Sequence, residues 1–217
     1  MHRSRSLLVV AALGLVAAGC GGSSSGKPAA KGPCASAQPT AKAQSFGSEP
    51  PLTVTSGTYT ATIKTNCGTI VASLDATKAP HTVNSFAFLA GKHYFDGSPC
   101  HRLTTSGIFV LQCGDPTGQG TGGPGYTIPD ENLAGAMYPA GTLAMANTGQ
   151  PHTGGSQFFF CYAATPLPPQ YTPFGMVTTG LDVLLAIAHN GEDDANGQGD
   201  GHPKQAIVIE SFTVTKS

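Results

Sequence analysis

The sequence predicts a mainly β protein in which eight short antiparallel strands close into a barrel capped by two α-helices. Short stretches of alternating or continuous apolar residues recur along the chain, as in strands. Two isolated stretches have helical spacing instead. The chain has 29 glycines and 17 prolines in 217 residues, and low-complexity sequence is confined to the first fifty. The later glycines and prolines are therefore turn residues of a closed, turn-rich architecture.

The predicted elements follow one another at short intervals. In the first strand Tyr59, Ala61 and Ile63 alternate with threonine and lysine, which indicates one buried face. The first helix has a proline near its first turn, where proline is tolerated. In chain order we predict strands at Thr58–Ile63 and Thr69–Leu74, a helix at Ala79–Ala90, a hairpin of Cys100–Leu103 and Ile108–Cys113, strands at Gly141–Ala146, Ser156–Tyr162 and Pro173–Val177, a helix at Leu181–Ala188 and a last strand at Gln205–Val214.

Composition and motifs exclude several classes of function. Charged residues are only 11% of the chain and the net charge is −1, so we expect no nucleic-acid partner. No G-x-S-x-G elbow, Walker loop or H-E-x-x-H motif occurs, and the cysteines and histidines lack zinc-site spacing. The stretch Asp194–Asp200 is similar to a calcium loop, but Gln205 stands where that loop needs a bidentate glutamate, which favours a polar turn. We predict no metal and no cofactor.

The first twenty residues have the pattern of an export signal. A basic start with Arg3 and Arg5 precedes an uncharged apolar run over Leu7–Ala18 that is too short to span a bilayer. The run ends in Val-Ala-Ala-Gly-Cys20, which resembles a bacterial lipobox. That resemblance implies removal of residues 1–19 and acylation of Cys20. An ordinary signal peptide with a chance cysteine is the alternative.

We therefore expect an exported protein that is lipid-anchored on the extracytoplasmic face of a bacterial cell membrane. Residues 20–55 are rich in Gly, Ser, Ala, Pro, Lys and Thr and poor in large apolar residues, which predicts a flexible tether. Residues 56–217 form the predicted folded domain.

Five cysteines remain outside the lipid anchor, in a compartment that permits disulfides. Cys100 and Cys113 lie near the open end of the predicted hairpin, where adjacent strands bring two cysteines within bridging distance. A second bridge between Cys34 and Cys67 would attach the tether to the domain. Cys161 lies in the apolar run Phe158–Tyr162 and is predicted to be a buried free thiol.

Five separated sequence blocks resemble the cyclophilin family of peptidyl-prolyl isomerases, and the similarity covers roughly Thr58–Val214. The blocks are Ala79-Pro-x-Thr-Val-Asn-Ser-Phe86, Tyr94-Phe-Asp-Gly97, His101-Arg102 with its following strand, Met145-Ala-Asn147 with Gly155-Ser-Gln-Phe-Phe159, and Phe174-Gly175. The resemblance implies a cyclophilin-like barrel that accelerates rotation about Xaa-Pro bonds in proline-containing polypeptides.

The resemblance also implies roles for individual residues. Arg102 would be the catalytic donor of a hydrogen bond to the twisted imide, and Gln112 would orient it and hold substrate backbone. The remaining implied substrate-binding residues line an apolar proline pocket or bind the extended peptide; they are Phe109, Val110, Ala146, Asn147, Gln157, Phe159, Leu167 and Tyr171.

The sequence departs from the common family pattern in ways that affect the pocket. The stretch Leu103–Phe109 carries two extra residues, and the turn Gly149–Gly155 is about one residue longer. Tyr171 stands where the family often has a histidine. The frequent pocket tryptophan is absent, with Leu167 or Pro168 in its place, so we predict weak cyclosporin binding.

Two functional classes remain open. The first is a monomeric isomerase that acts on exported proteins as they fold. The alternative is a non-catalytic chaperone or scaffold lipoprotein that binds proline-containing segments. Arg102 favours the enzyme because a pure binder has no need of a transition-state donor. A solute-binding lipoprotein is disfavoured because such chains usually have two α/β lobes.

Overall fold

A computed structural model of the chain describes residues 34–217. The predicted signal peptide at residues 1–19 and the lipidation at Cys20 therefore lie outside the described residues. Within 34–217, no helix is both long and apolar enough to cross a membrane. The elements are β1 (Thr58–Thr65), β2 (Gly68–Asp75), α1 (Pro80–Gly91), β3 (Arg102–Thr104), β4 (Val110–Cys113), β5 (Thr142–Met145), β6 (Phe158–Cys161), β7 (Pro173–Thr179), α2 (Leu181–Asn190), β8 (Asp200–Gly201) and β9 (Ile209–Lys216).

In the described part of the chain, one antiparallel sheet of nine strands, in the order β8-β3-β4-β6-β5-β7-β2-β1-β9, curls around the core. The prediction of a closed eight-stranded barrel is wrong. The additional strand β8 pairs with β3 through Leu103–Gly201 and Thr104–Asp200, and so occupies the edge that closure would require. At the two ends of the sheet, β8 and β9 are not neighbours; an isolated bridge from Pro99 to Val208 joins the segments that precede β3 and β9. The result is a curled half-barrel.

The main core lies inside the curl and is rich in phenylalanine. The ring centroids of Phe86 and Phe174 are 4.7 Å apart, as are those of Phe95 and Phe212. Helix α1 places Phe86 there, and the carboxylate of Glu131 accepts hydrogen bonds from backbone N–H groups of its first turn. A distant acid thus satisfies donors that a helix leaves unpaired at its N-terminus. The core fixes the sheet whose opposite face carries the candidate site.

Residues 34–55, which we call the strap, do not form the flexible tether predicted for them. The strap lies along the domain, where its Phe46 ring packs edge-on against Phe88 with centroids 5.0 Å apart. Its Thr53 and Val54 backbone N–H groups both donate to the side chain of Asn84 at 3.0 Å. A low content of apolar residues therefore does not leave this part free, because one aromatic anchor and a disulfide hold it.

Both predicted disulfides are confirmed. Cys34 is joined to Cys67 with their Cα atoms 4.1 Å apart, and Cys100 is joined to Cys113 with 4.0 Å between their Cα atoms. The first bridge attaches the strap to the turn between β1 and β2, and the second links the start of the β3–β4 hairpin to its end. Cys161 is buried and has no disulfide partner among residues 34–217, as predicted.

Candidate functional site

A row of side chains crosses four neighbouring strands on the face of the sheet opposite the main core. Arg102 on β3 lies opposite Gln112 on β4, Gln112 lies opposite Phe159 on β6, and Phe159 lies opposite Ala144 on β5. Directly opposed residues in adjacent strands point to the same face. Their chain neighbours, such as Phe158, point to the main core. Strand register therefore brings one arginine, one glutamine and an aromatic ring together.

This row borders a cavity of about 150 Å³. Val110, Ala144 and Phe159 belong to a small apolar cluster beneath it, separate from the main core. Since water occupies ~30 Å³ per molecule in the liquid, the cavity has room for a small apolar ring. The lining residues are Arg102, Ile108, Val110, Gln112, Ala146, Asn147, Phe159, Leu167 and Tyr171.

Arg102 lies on the rim of the cavity in a fixed network. Its Nε donates to Oδ1 of Asp200 at 2.8 Å, its Nη2 donates to Oδ2 of the same carboxylate, and its Nη1 donates to Oε1 of Gln112 at 3.3 Å. Its side chain is 33% exposed. Hydrogen bonding to Asp200 raises the pKa of Arg102, and hydrogen bonding from Arg102 lowers the pKa of Asp200. Both groups are therefore charged near neutral pH.

A wider groove of about 620 Å³ continues from the cavity. Gln112 donates through Nε2 to Oε1 of Gln157 at 2.9 Å, and Gln157 donates to the carbonyl of Gly122 at 2.9 Å. Gln112, Ala146 and Asn147 line both the groove and the cavity. A chain segment placed along these polar groups would run past the apolar cavity, which is the arrangement needed to hold an extended peptide by its backbone.

The loop that forms the far wall of this groove is braced by Asp115. This buried carboxylate accepts hydrogen bonds from the backbone N–H of Thr117 at 2.7 Å and of Gly122 at 3.0 Å. Burial alone would raise the pKa of Asp115, but these hydrogen bonds outweigh it and hold that pKa below its ordinary value.

The structure brings together eight of the ten predicted site residues at the cavity itself. They are Arg102, Val110, Gln112, Ala146, Asn147, Phe159, Leu167 and Tyr171. Gln157 lies in the adjoining groove.

Phe109 is the exception, because it packs against the main core and its ring centroid lies 6.0 Å from that of Tyr162. Ile108 takes the expected place in the lining. Counting back from Gln112 with the two-residue period of a strand gives Val110 and Ile108 on the cavity face and Phe109 on the other.

Sequence reasoning also missed Asp200. The sequence indicates only a polar turn there, and its pairing with Arg102 spans 98 positions of the chain. No local signal announces such a contact.

Two other reactive side chains lie near the cavity, Cys161 and His101, and neither is suited to covalent or metal chemistry. Burial raises the pKa of the Cys161 thiol to about 12, so the thiol stays protonated at neutral pH. Burial lowers the pKa of His101, which leaves its imidazole neutral there. Among residues 34–217 no group of three or more His, Cys, Asp or Glu side chains is placed to hold a metal ion. What the site provides is an apolar cavity, a fixed cation on its rim and a polar groove beside it.

Comparison with known proteins places this arrangement in a family. The profile described as "Cyclophilin type peptidyl-prolyl cis-trans isomerase/CLD" matches residues 60–214. The "Probable peptidyl-prolyl cis-trans isomerase B" of Mycobacterium leprae is 46% identical over 169 residues, covering 71% of this chain and 56% of that protein. A Helicobacter pylori "Peptidyl-prolyl cis-trans isomerase" is 42% identical over 161 residues, covering 72% of this chain and 87% of that protein.

A solved structure with a similar fold carries the same family description. The crystal structure of a Cryptosporidium parvum cyclophilin-type peptidyl-prolyl cis-trans isomerase in the presence of the dipeptide Ala-Pro has a TM-score of 0.64 and 28% identity, covering 73% of this chain and 99% of the other. The chain spans about half the length of the mycobacterial isomerase B relatives that it matches.

Proposed function

The chain belongs to the cyclophilin-type peptidyl-prolyl cis-trans isomerase family, and we propose that it accelerates rotation about Xaa-Pro bonds in exported polypeptides. The observation that carries this proposal is Arg102, held on the rim of an apolar cavity by two side chains. Relatives named as isomerases and a neighbour crystallised in the presence of Ala-Pro support it.

The chemical problem is a rotation in which no bond is broken. Amide resonance sets a barrier of ~18–20 kcal/mol, and the uncatalysed reaction takes tens of seconds or longer. An enzyme must hold the proline ring while the rest of the imide turns, and must stabilise the twisted state more than either planar one. Neither a nucleophile nor a redox group is required for this.

In the proposed mechanism the proline ring enters the cavity against Phe159, Val110 and Leu167. The polar side chains of Gln112 and Asn147 hold the peptide backbone on either side. As the imide twists, its nitrogen regains a lone pair, and the guanidinium of Arg102 donates a hydrogen bond to it. Because this bond is available only in the twisted state, it lowers the barrier without tightening substrate binding.

The decisive measurement is the rate of cis–trans exchange of an Xaa-Pro peptide by exchange NMR, with wild type compared with Arg102→Ala. We expect a loss of roughly 10²–10³-fold in kcat/KM, as for removal of one preorganised donor. Lys78→Ala, which removes an exposed cation outside the cavity lining, is the matched control and keeps wild-type activity. A wild-type protein that binds the peptide without accelerating exchange would instead support the binding-module alternative.

We further propose that the protein works as a lipid-anchored monomer outside the cytoplasm, attached through Cys20. The lipobox-like sequence supports this, and two or more acyl chains give far firmer attachment than one. Membrane fractionation of cells expressing wild type or Cys20→Ser tests it, since only wild type should sediment with membranes. Equal sedimentation of both forms would contradict the anchor.

We also propose that cyclosporin binds weakly. Leu167 lines the cavity, and by the resemblance Leu167 or Pro168 stands where the family frequently has tryptophan, so an indole ring and its N–H donor are missing there. We expect Leu167→Trp to tighten inhibition of peptide isomerisation. A nanomolar inhibition constant for wild type would contradict the proposal.

A further inference from the structure

Asp200 is the group in direct contact with Arg102 that the mechanism above does not use. Its two carboxylate oxygens accept from Nε and Nη2 of Arg102, so the contact is bidentate. Fork-to-fork pairs of this kind fix the plane of the guanidinium as well as its position. The Asp200 side chain is 26% exposed, which places the pair at the cavity rim and partly out of water.

Asp200 is itself held in place from two directions. Its backbone pairs with Thr104 of β3, two residues from Arg102 on the same strand. Its Oδ1 also accepts from Nδ2 of Asn196 at 3.2 Å, while its carbonyl accepts from the Asn196 backbone N–H at 2.9 Å. The additional strand β8, which pairs with the edge of β3, is therefore the element that brings this carboxylate to the site.

The remaining donors of Arg102 match the requirement of the mechanism. A guanidinium has five N–H donors, of which Asp200 takes two and Gln112 takes one. Two N–H groups are left, one on Nη1 and one on Nη2. Without the carboxylate, a long arginine side chain on the rim would sample several rotamers, and only some of them would direct these donors over the cavity.

We propose that Asp200 is a positioning residue that holds the Arg102 guanidinium so that its two remaining donors face the twisted imide. This inference rests on the proposed isomerase function. Asp200 acts through Arg102 and does not touch the substrate. Its loss should therefore reduce kcat and leave peptide binding nearly unchanged, because the cavity and groove residues that hold the peptide stay in place.

Exchange NMR of the full chain tests this with four proteins: wild type, Asp200→Ala, Arg102→Ala and the double variant. We expect Asp200→Ala to lower kcat/KM about tenfold, equivalent to ~1.4 kcal/mol of transition-state stabilisation, with the peptide dissociation constant changed by less than twofold. Adding Asp200→Ala to Arg102→Ala should not lower kcat/KM any further, because the arginine that Asp200 orients is already absent.

A spectroscopic readout separates positioning from general structural support. Labelling with ¹⁵N-arginine gives at most three Nε–Hε signals, because the chain has only Arg3, Arg5 and Arg102. The Arg102→Lys variant assigns the Arg102 signal by its loss. We expect slow hydrogen exchange of this Nε–Hε in wild type and fast exchange in Asp200→Ala.

Two further variants keep the test decisive. Glu210→Gln removes an exposed carboxylate on β9 and should have the same kcat/KM as wild type. Asp200→Asn keeps the side-chain volume but only one acceptor oxygen, so we expect it to lower kcat/KM about threefold. This variant decides the question if Asp200→Ala fails to fold.

Unchanged or increased kcat/KM in a folded Asp200 variant would overturn the proposal. So would an equal loss in the Arg102→Ala background. If wild type itself shows no acceleration, it is the proposed function that fails, and this outcome is seen before any variant is compared.

Discussion

Replacing Cys34 and Cys67 with serine removes the covalent link between the strap and the β1–β2 turn, and the cost can be worked from the structure. The two cysteines are 33 positions apart in sequence. In the chain-entropy description a bridge closing a loop of this length stabilises the fold by ~3.7 kcal/mol, because it restricts the unfolded chain. For the 184 described residues this corresponds to a fall in Tm of about 10 °C.

The strap also has noncovalent contacts, and these determine which parts of the protein are affected when the disulfide is removed. Phe46 packs on Phe88, and its backbone N–H donates to the carbonyl of Pro124 at 2.8 Å. No residue of the strap lines the cavity beside Arg102. We therefore expect the strap amides of the double-serine variant to exchange with solvent faster than the core amides, while kcat at low temperature stays at the wild-type value.

Calorimetry of the full chain under non-reducing conditions measures the fall in Tm, and hydrogen exchange locates it. The matched control is the variant with serine at Cys100 and Cys113, which are only 13 positions apart, so the same relation gives ~2.9 kcal/mol. A fall of less than 2 °C for the first variant would refute the reasoning. Because Cys100 and Cys113 are buried in the main core, serine at these positions also buries two hydroxyl groups, so the fall for the second variant contains this cost as well as the loop-closure cost.

Two further predictions concern the cavity and the groove wall. Ile108→Ala should raise KM for an Xaa-Pro peptide several-fold, because Ile108 lines the cavity and Phe109 does not. Phe109→Ala should leave KM unchanged and lower the free energy of unfolding by about 1–3 kcal/mol, less than the ~3–5 kcal/mol for a fully buried phenylalanine, because its ring is only partly buried against the main core. Peptide kinetics and urea titrations of both variants measure this, and the reverse pattern would contradict the assignment. Asp115→Asn should destabilise the fold by about 1–3 kcal/mol at pH 7, because the buried carboxylate accepts several hydrogen bonds. Since the pKa of Asp115 is lowered in the folded state, its stabilisation is present above the unfolded value of ~3.9 and is lost as pH falls through the folded pKa. The gap in unfolding free energy between wild type and Asp115→Asn should therefore shrink below about pH 4, and a gap that is the same at pH 7 and pH 3 would show that the charge is not what stabilises the loop.

The features that the sequence predicts well are those set by local pattern. The β3–β4 hairpin follows from two apolar runs with a turn between them, and the pairing of Cys100 with Cys113 follows from the hairpin. Helix α1 follows from apolar spacing after Pro80. In each case the physical cause lies within about fifteen residues, so it is visible without the fold.

The features that the sequence misses depend on contacts between distant segments. Asp200 reaches Arg102 only because β8 adds to the edge of β3, and two residues are too short a strand to leave a periodic pattern. The strap is misassigned for a similar reason. Its composition is typical of a disordered segment, but Phe46 finds a place beside Phe88 on the surface of α1.

The position of Phe109 shows that register, more than composition, determines which side chains line the cavity. Strand β6 is a continuous run of buried residues from Phe158 to Cys161, because it is covered by the core on one face and by the cavity cluster on the other. Every ring in such a run suits either face chemically, and the pairing of Gln112 with Phe159 decides which ring lines the cavity. A slip of β6 by one residue would exchange Phe158 for Phe159, and a slip of β4 by one residue would turn Gln112 away from Arg102's side of the sheet. Because the same strand pairs also hold the main core together, the arrangement of the side chains around the cavity depends directly on the stability of the fold.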